Sequence, residues 1–360
     1  MAVKGKLGVR DYGSLLAALA NILFIVPPTS IFRRLALRKA TPKSLKAHVG
    51  FSISRALTRN ATISSMQALS GSSESVFEKW KAKNLARKVE SVTLQGQTKA
   101  FWIGDKHADT TILYLHGGGY ATPATNAHFD IVAEAESRAA SETASLSTLF
   151  LGYDLTPSAY PSQLQQAVKA LEYLTNTMQR PLQKIILAGD SAGANLALAL
   201  LSHLSKPHSD VERITATGNF KKAVLLSPWV TFDLSAAAFK ENVWKDCLDA
   251  RALHRWSQAF LGGAKPDPYN SPLLATPDWW SGIRVDKTYI AAGQDEVFVT
   301  DIVEFSERLR SQANDVEVVV CPNEPHDSIV MHYMSGLPYE GMRKAFFTWV
   351  LDNPSDKSTS

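Results

Sequence analysis

The chain has 360 residues, 45% of them apolar, which makes it a globular protein with ample core and fits one main domain carrying an added cap better than two independent domains. Two cysteines, Cys247 and Cys321, give no disulfide framework, so nothing implies an oxidising compartment; the single sequon, Asn60-Ala61-Thr62, does not outweigh that. The net charge of +4 is unevenly placed: residues 1–110 hold 18 Lys/Arg against 6 Asp/Glu, a net of +12, and the remainder holds 20 against 28, a net of −8. That asymmetry fits a basic segment docked on an acidic body, or one drawn to an anionic membrane surface. Nucleic acid is not expected as a partner, because no basic run is interleaved with aromatics.

In chain order, Leu15 to Val26 is the first strongly apolar stretch. As a helix its 12 residues are ~18 Å long, short of a ~30 Å hydrocarbon core. Leu15, Leu16, Leu19, Ile22, Leu23 and Val26 share one face, and Pro27-Pro28 is expected to end the helix. Three readings stay open. The first is a cap helix over the site entrance and the second a shallow membrane-contacting helix. The third is a cleaved signal segment, against which Asn21 interrupts the core and no small-x-small site follows. Thr41-Pro42 reads as the next helix start, with Leu45, Val49, Ile53 and Leu57 repeating every four residues. Residues 1–88 are therefore expected to form a helical cap segment.

The central sheet is expected to begin near Val89–Leu94 and Phe101–Ile103, with a turn at Gly96. Thr111-Ile112-Leu113-Tyr114-Leu115 reads as a buried strand and runs into His116-Gly117-Gly118-Gly119-Tyr120. Lys184-Ile185-Ile186-Leu187-Ala188 is a second apolar run. It enters Gly189-Asp190-Ser191-Ala192-Gly193, a G-x-S-x-G motif, and an Ala/Leu-rich helix follows. A sharp strand-to-helix turn would expose the Ser191 oxygen, with the helix N-terminus favouring negative charge beside it. Gly118, Gly119 and Ala192 are the candidate N–H donors for an oxyanion. His116 more naturally positions its loop than acts as a base.

Asp233 to Gly282 separates two expected strands and is too long for a loop, so it is read as a second cap segment. Its Trp244, Trp256, Trp279 and Trp280 are read as cap core, with pocket lining as the alternative, and Trp229 is the better substrate contact together with Tyr120. Asp295 follows the strand-like run Thr288–Ala292, and His326 follows Val316–Val320. Both lie past the carboxyl ends of expected parallel strands, where α/β sheets build their sites. Asp295 is expected to orient His326, with Glu296 and Asp301 as competitors; His332 competes with His326. No cluster has metal-ligand spacing, and no cofactor is expected. The catalytic domain spans 89–352, with the cap insertion at about 233–282 and a polar tail at 353–360.

These words, with Tyr153-Asp154-Leu155-Thr156-Pro157, Tyr160-Pro161, Ser227-Pro228-Trp229 and Ser271-Pro272-Leu273, resemble the hormone-sensitive-lipase-like (GDXG) family of α/β-hydrolases. The resemblance runs from about Ala100 to the C-terminus. It implies an α/β-hydrolase fold with a mostly parallel sheet, flanking helices and a helical cap. It implies Ser191 as nucleophile, Asp295 and His326 as its partners, and Gly118, Gly119 and Ala192 as the oxyanion hole. The expected function is cofactor-independent hydrolysis of carboxylic esters of apolar small molecules, for instance in specialised-metabolite biosynthesis. Acyl transfer, another reaction on the same triad, and non-catalytic ligand binding are the alternatives. An intracellular place is expected, cytoplasmic or peripherally membrane-associated through the N-terminal helix, and a homo-oligomer is left open. The chain departs from the family's usual wording at Ala194, at Glu296-Val297-Phe298, and at Asp154 and Ser158.

Overall fold

The computed structural model describes residues 7–37, 41–42 and 44–351, so the expected tail at 353–360 and the first six residues lie outside the described residues. Eight strands form one sheet in the order β1-β2-β4-β3-β5-β6-β7-β8. They are β1 (Val89–Thr93), β2 (Lys99–Ile103), β3 (Thr110–Leu115), β4 (Leu146–Gly152), β5 (Ile185–Asp190), β6 (Lys222–Leu226), β7 (Thr288–Gly293) and β8 (Val316–Cys321). β2 is antiparallel to β1 and β4; the remaining pairs are parallel. Every residue of β5, β6 and β7 is buried, as the continuous apolar runs demand of strands covered on both faces.

The covering helices explain that burial. On one face, α7 (Ser162–Glu172), α8 (Ser191–Ser205) and α11 (Val299–Arg310) supply Leu164, Leu198 and Phe305 to one core. On the other, α6 (Asn126–Ser141) and α13 (Gly341–Leu351) supply Phe129, Ile131 and Phe346 to a second. The parallel order sends β3, β5, β7 and β8 out at the same edge, so their following loops meet there.

Two features of the N-terminal segment differ from the sequence expectation. The first helix does not stop at Pro27-Pro28. α1 (Val9–Ala20) passes through a π turn at Asn21–Ile25 and continues as α2 (Val26–Ala36). The wider turn releases carbonyls just where the prolines lack N–H donors, and Thr29 Oγ1 donates to Ile25 O at 2.6 Å. Secondly, α3 (Leu45–Asn60) starts after Ser44, whose hydroxyl accepts from Ala47 N, and not at Thr41-Pro42. Arg34 Nη1 donates to Thr41 Oγ1 and to Pro42 O, which holds those residues in the connection. The buried face of α3 is Ala47, His48, Phe51, Ser52, Arg55 and Ala56; Leu45 and Ile53 of the four-residue repeat point outward. α4 (Ile63–Ser70) and α5 (Ser73–Lys81) complete this segment.

The stretch between β6 and β7 carries α9 (Ala238–Glu241) and α10 (Ala250–Leu261). It docks on the N-terminal helices through specific bonds: Arg59 Nη2 lies 2.6 Å from Asp249 Oδ2, and Arg255 Nη2 donates to Ala61 O. Asp249 is also the N-cap of α10, accepting from Arg251 N and Ala252 N. Asp249→Ala removes a cap and unpairs Arg59. It is expected to lower stability by about 1–2 kcal/mol, read from the shift of the urea unfolding midpoint relative to wild type.

Candidate active site

The site is built where β5 turns into α8. Ser191 sits at the turn with φ +50°, a left-handed conformation that costs a non-glycine residue energy and is kept where surroundings enforce it. The surroundings here are backbone. A Cβ on Gly193 would stand 1.9 Å from Leu115 O, and one on Gly189 would stand 2.7 Å from Gly193 C. α8 can therefore start directly at the serine only if both positions lack side chains.

Ser191 Oγ lies 2.9 Å from His326 Nε2, and His326 Nδ1 lies 2.8 Å from Glu296 Oε2. Ser191, His326 and Glu296 are all buried. The carboxylate that meets the imidazole is thus that of Glu296, where the sequence reading expected Asp295. Two bonds account for the difference. Asp295 N donates to Glu324 O, and Asp295 Oδ1 faces Lys245 Nζ of the insertion at 3.3 Å, so its carboxylate points away from the imidazole. Glu296 points inward and its Oε1 accepts from Gly293 N at 3.0 Å. The other competitors are elsewhere: Asp301 is in the first turn of α11, and His332 lies on α12 (Ser328–Ser335).

The loops that carry the acid and the imidazole are tied to the insertion by Asp246. Its fully buried carboxylate accepts from Val297 N at 2.8 Å, from His326 N at 3.0 Å and from Cys247 N at 2.7 Å. Its own carbonyl accepts from Arg55 of α3. Asn242 Nδ2 adds bonds to Gln294 O and Glu296 O. No sequence signal marks Asp246, because the amides of Val297 and His326 that it holds are far away in the chain.

Charge is arranged around the imidazole. Burial disfavours the charged form of His326, but the carboxylates of Asp327 and Glu296 outweigh it and raise its pKa well above the usual histidine value. Burial raises Glu296, and the bond to His326 offsets part of that. His116 is different: burial holds it down at about 4, so it is neutral. It stacks on Tyr153 with centroids 4.3 Å apart, and its Nδ1 lies 2.6 Å from Gly117 O, which fits a loop-positioning part. Under it, Asp190 accepts from Tyr114 OH at 2.8 Å and from Gly117 N at 2.9 Å, fixing the glycine loop to the Ser191 turn.

In that loop Gly118 has φ +106° and Gly119 +61°. Among the described residues, no protein acceptor takes the N–H of Gly118 or Gly119. Ala192 N–H lies in the first turn of α8, where helices leave donors free. Trp256 of α10 packs on the loop, its Cε3 lying 2.4 Å from where a Gly119 Cβ would be. The two residues read as substrate contacts are buried instead. Tyr120 stacks on Phe260 at 3.8 Å and donates from its hydroxyl to Asn195 Oδ1. Trp229 packs between Phe232 and Phe298, and its backbone N donates to Ser191 O. Both lie within five residues of a strand end and are still inside the core. Among the described residues, no group of three or more His, Cys, Asp or Glu could hold a metal.

Comparison with known proteins agrees with this architecture. Residues 112–330 match the family model described as alpha/beta hydrolase fold. An acetyl-hydrolase of Streptomyces hygroscopicus is 31% identical over 221 residues, 61% of this chain and 68% of that protein. The carboxylesterase/phospholipase LipF of Mycobacterium tuberculosis is 38% identical over 224 residues, 61% of this chain and 56% of that protein. Among solved structures, an esterase from the bacterial hormone-sensitive lipase family superposes with a TM-score of 0.63 at 22% identity, covering 86% of this chain and 99% of that one, a likeness of fold.

Gly193→Ala tests the turn. The clash is with strand backbone and cannot be relieved by a rotamer change, so the variant is expected to lose at least about 3 kcal/mol or to accumulate as insoluble protein, measured as soluble yield and melting temperature.

Proposed function

The chain belongs to the α/β-hydrolase family, and we propose that it is a carboxylic ester hydrolase of the hormone-sensitive-lipase-like kind that cleaves short-chain acyl esters of apolar alcohols through a covalent enzyme on Ser191. The observation that carries this reading is the unbroken relay Ser191 Oγ, His326 Nε2, His326 Nδ1, Glu296 Oε2 at 2.9 and 2.8 Å.

Ser191 Oγ attacks the ester carbonyl carbon while His326 Nε2 takes the hydroxyl proton. Glu296 holds the Nδ1 proton, which fixes the tautomer with a free Nε2 lone pair and stabilises the imidazolium once formed. The carbonyl oxygen becomes negative and is met by N–H groups of Gly118, Gly119 and Ala192, each worth ~3 kcal/mol of barrier in comparable sites. Collapse of the tetrahedral species breaks the carbon–oxygen bond of the leaving alcohol, which takes the proton back from Nε2. Water then repeats the cycle on the acyl-serine, with His326 as base and acid in turn. The acyl side is proposed to be small because the Trp256 ring presses on Gly119 of the oxyanion loop, and because the Streptomyces relative is named for acetyl groups.

Hydrolysis of p-nitrophenyl esters from acetate to palmitate tests the proposal. Ser191→Ala is expected to lower kcat at least about 10⁴-fold, and Glu296→Gln about 10³–10⁴-fold with KM little changed. Asp295→Asn is expected to stay within about threefold of wild type, since a partly exposed ion pair contributes little. An Asp295→Asn loss equal to that of Glu296→Gln would return the acid to Asp295. Full activity in Ser191→Ala would end the serine mechanism, and a palmitate optimum would end the short-acyl assignment.

A further inference from the structure

The helix running from Val9 through Ala36 is 28 residues long, about 42 Å. Only 17% of its most apolar 18-residue stretch is buried. Leu16, Leu19, Leu23, Phe24, Phe32 and Leu35 are all more than half exposed and recur at helical spacing along the outward side. Soluble proteins rarely leave so long a contiguous apolar surface in water. The inward side, in contrast, is fastened to the body. Ala18, Val26 and Ser30 are buried, Thr62 Oγ1 donates to Asp11 Oδ1 at 2.6 Å, and the Arg33 guanidinium lies 3.8 Å over the Trp244 ring. A helix held this way along its length lies on the body and has its other face free.

The charge says what that face meets. Residues 1–60 hold 11 Lys/Arg and one acidic residue, Asp11. Arg33, Arg34, Lys46, Arg55 and Arg59 bond or stack within the protein. The others are Arg10, in the first turn of the helix, and Lys4, Lys6, Arg38, Lys39 and Lys43, which flank the helix in sequence. An apolar stripe in a strongly cationic segment matches an anionic bilayer surface, with acyl chains for the stripe and headgroups for the cations. We propose that the outward face of Val9–Ala36 seats the protein on an anionic lipid bilayer, the helix lying in the interface plane and not crossing it. The seat does not depend on the ester chemistry.

Co-sedimentation of the full chain with phosphatidylcholine vesicles, with and without phosphatidylserine, tests it. Wild type is expected to bind the phosphatidylserine vesicles and to be partly released by added salt. A variant with Leu16, Leu19, Leu23 and Phe24 each changed to Ser is expected to bind at least about tenfold more weakly, while hydrolysis of dissolved p-nitrophenyl acetate stays at the wild-type rate and shows that it is folded. Equal sedimentation of wild type and variant overturns the proposal. So does a wild-type dimer that the same substitutions dissolve, which assigns the face to a second copy. Resistance to alkaline carbonate extraction overturns the in-plane placement.

A second observation is independent of the first. The residue after His326 is an acid, and Asp327 Oδ2 lies 3.1 Å from His326 Nε2, the nitrogen that also faces Ser191. The imidazole is therefore flanked by carboxylates on both nitrogens. Asp327 has φ +47°, and its backbone N donates to Ser227 Oγ at 3.1 Å, so its position is set by the backbone turn. The other groups facing the pair are Glu296 after β7, Asp190 at the end of β5, Tyr114 of β3, His128 of α6, and Asp246 and Cys247 of the insertion; Asp246 accepts from His326 N. The geometry assigns to Asp327 a positioning part in the ester reaction: it holds the Nε2 proton after transfer and sets the pH at which His326 becomes a base. This inference rests on the mechanism proposed above.

Burial pushes Asp327 up to about 7, against the pull of His326. His326 itself is raised, so it is protonated and inactive as a base until pH climbs past its folded value; activity falls as pH is lowered. Asp327→Asn removes one of the two carboxylates that raise it, and asparagine tolerates the left-handed backbone. The acid limb of kcat/KM is expected to move to lower pH by about one unit, with Asp327→Gly showing the same direction. NMR titration of the His326 imidazole reads the same shift without substrate, so it stands apart from the esterase reading. An unmoved titration in both variants overturns the assignment, whatever happens to the rate.

Discussion

The contact on which the site depends is between two pieces of main chain: the carbonyl of Leu115, at the end of β3, and Gly193 in the first turn of α8. With no Cβ at Gly193 the helix packs on the strand end, and the nearest atom a methyl would meet is only 1.9 Å away. That approach puts Ser191 at φ +50°, aims the start of α8 at the reacting centre, and brings the glycine loop after β3 alongside the serine. The strain in the serine is balanced by burial of the sheet and helix around it, since β5 and α8 are buried nearly end to end.

The other half of the site is assembled by buried carboxylates that accept backbone amides. Asp190 holds Gly117, Glu296 holds Gly293, and Asp246 holds Val297 and His326. Glu324 caps α13 through Gly341 N and Met342 N. A buried carboxylate is costly unless its lone pairs are filled, and amides fill them without adding a second buried charge. Asp246 belongs to the insertion and its carbonyl is bonded by Arg55 of the N-terminal segment. The N-terminal helices, the insertion and the histidine loop are consequently bonded to one another, and Trp256 of α10 packs on Gly119.

The runs of β1, β2, β3, β5, β7 and β8, the serine turn and the histidine after the last strand are legible in the sequence because each is written in neighbouring residues. Apolar runs bounded by glycine make buried strands, and Gly-x-Ser-x-Gly between strand and helix makes one kind of turn. The placement of Trp229 and Tyr120 was not legible. A large aromatic just past a strand end reads the same whether it faces a pocket or lies inside the core, and here Phe260 and Phe298 stack on them. Nor could a proline pair announce that a π turn upstream would let the helix continue.

By itself the sequence determined six of the eight strands, the serine turn and the glycine loop, since local steric rules leave few conformations to Gly117–Gly119 and Gly189–Gly193. Only the tertiary structure decided which of two adjacent acids faces the imidazole. Asp295 and Glu296 are neighbours whose side chains point to opposite sides, and bonds from Glu324 and Lys245, distant in the chain, turn Asp295 out and Glu296 in. It likewise decided which side of the first helix meets the body and which is left apolar and free, because that depends on what α3 and α4 present to it.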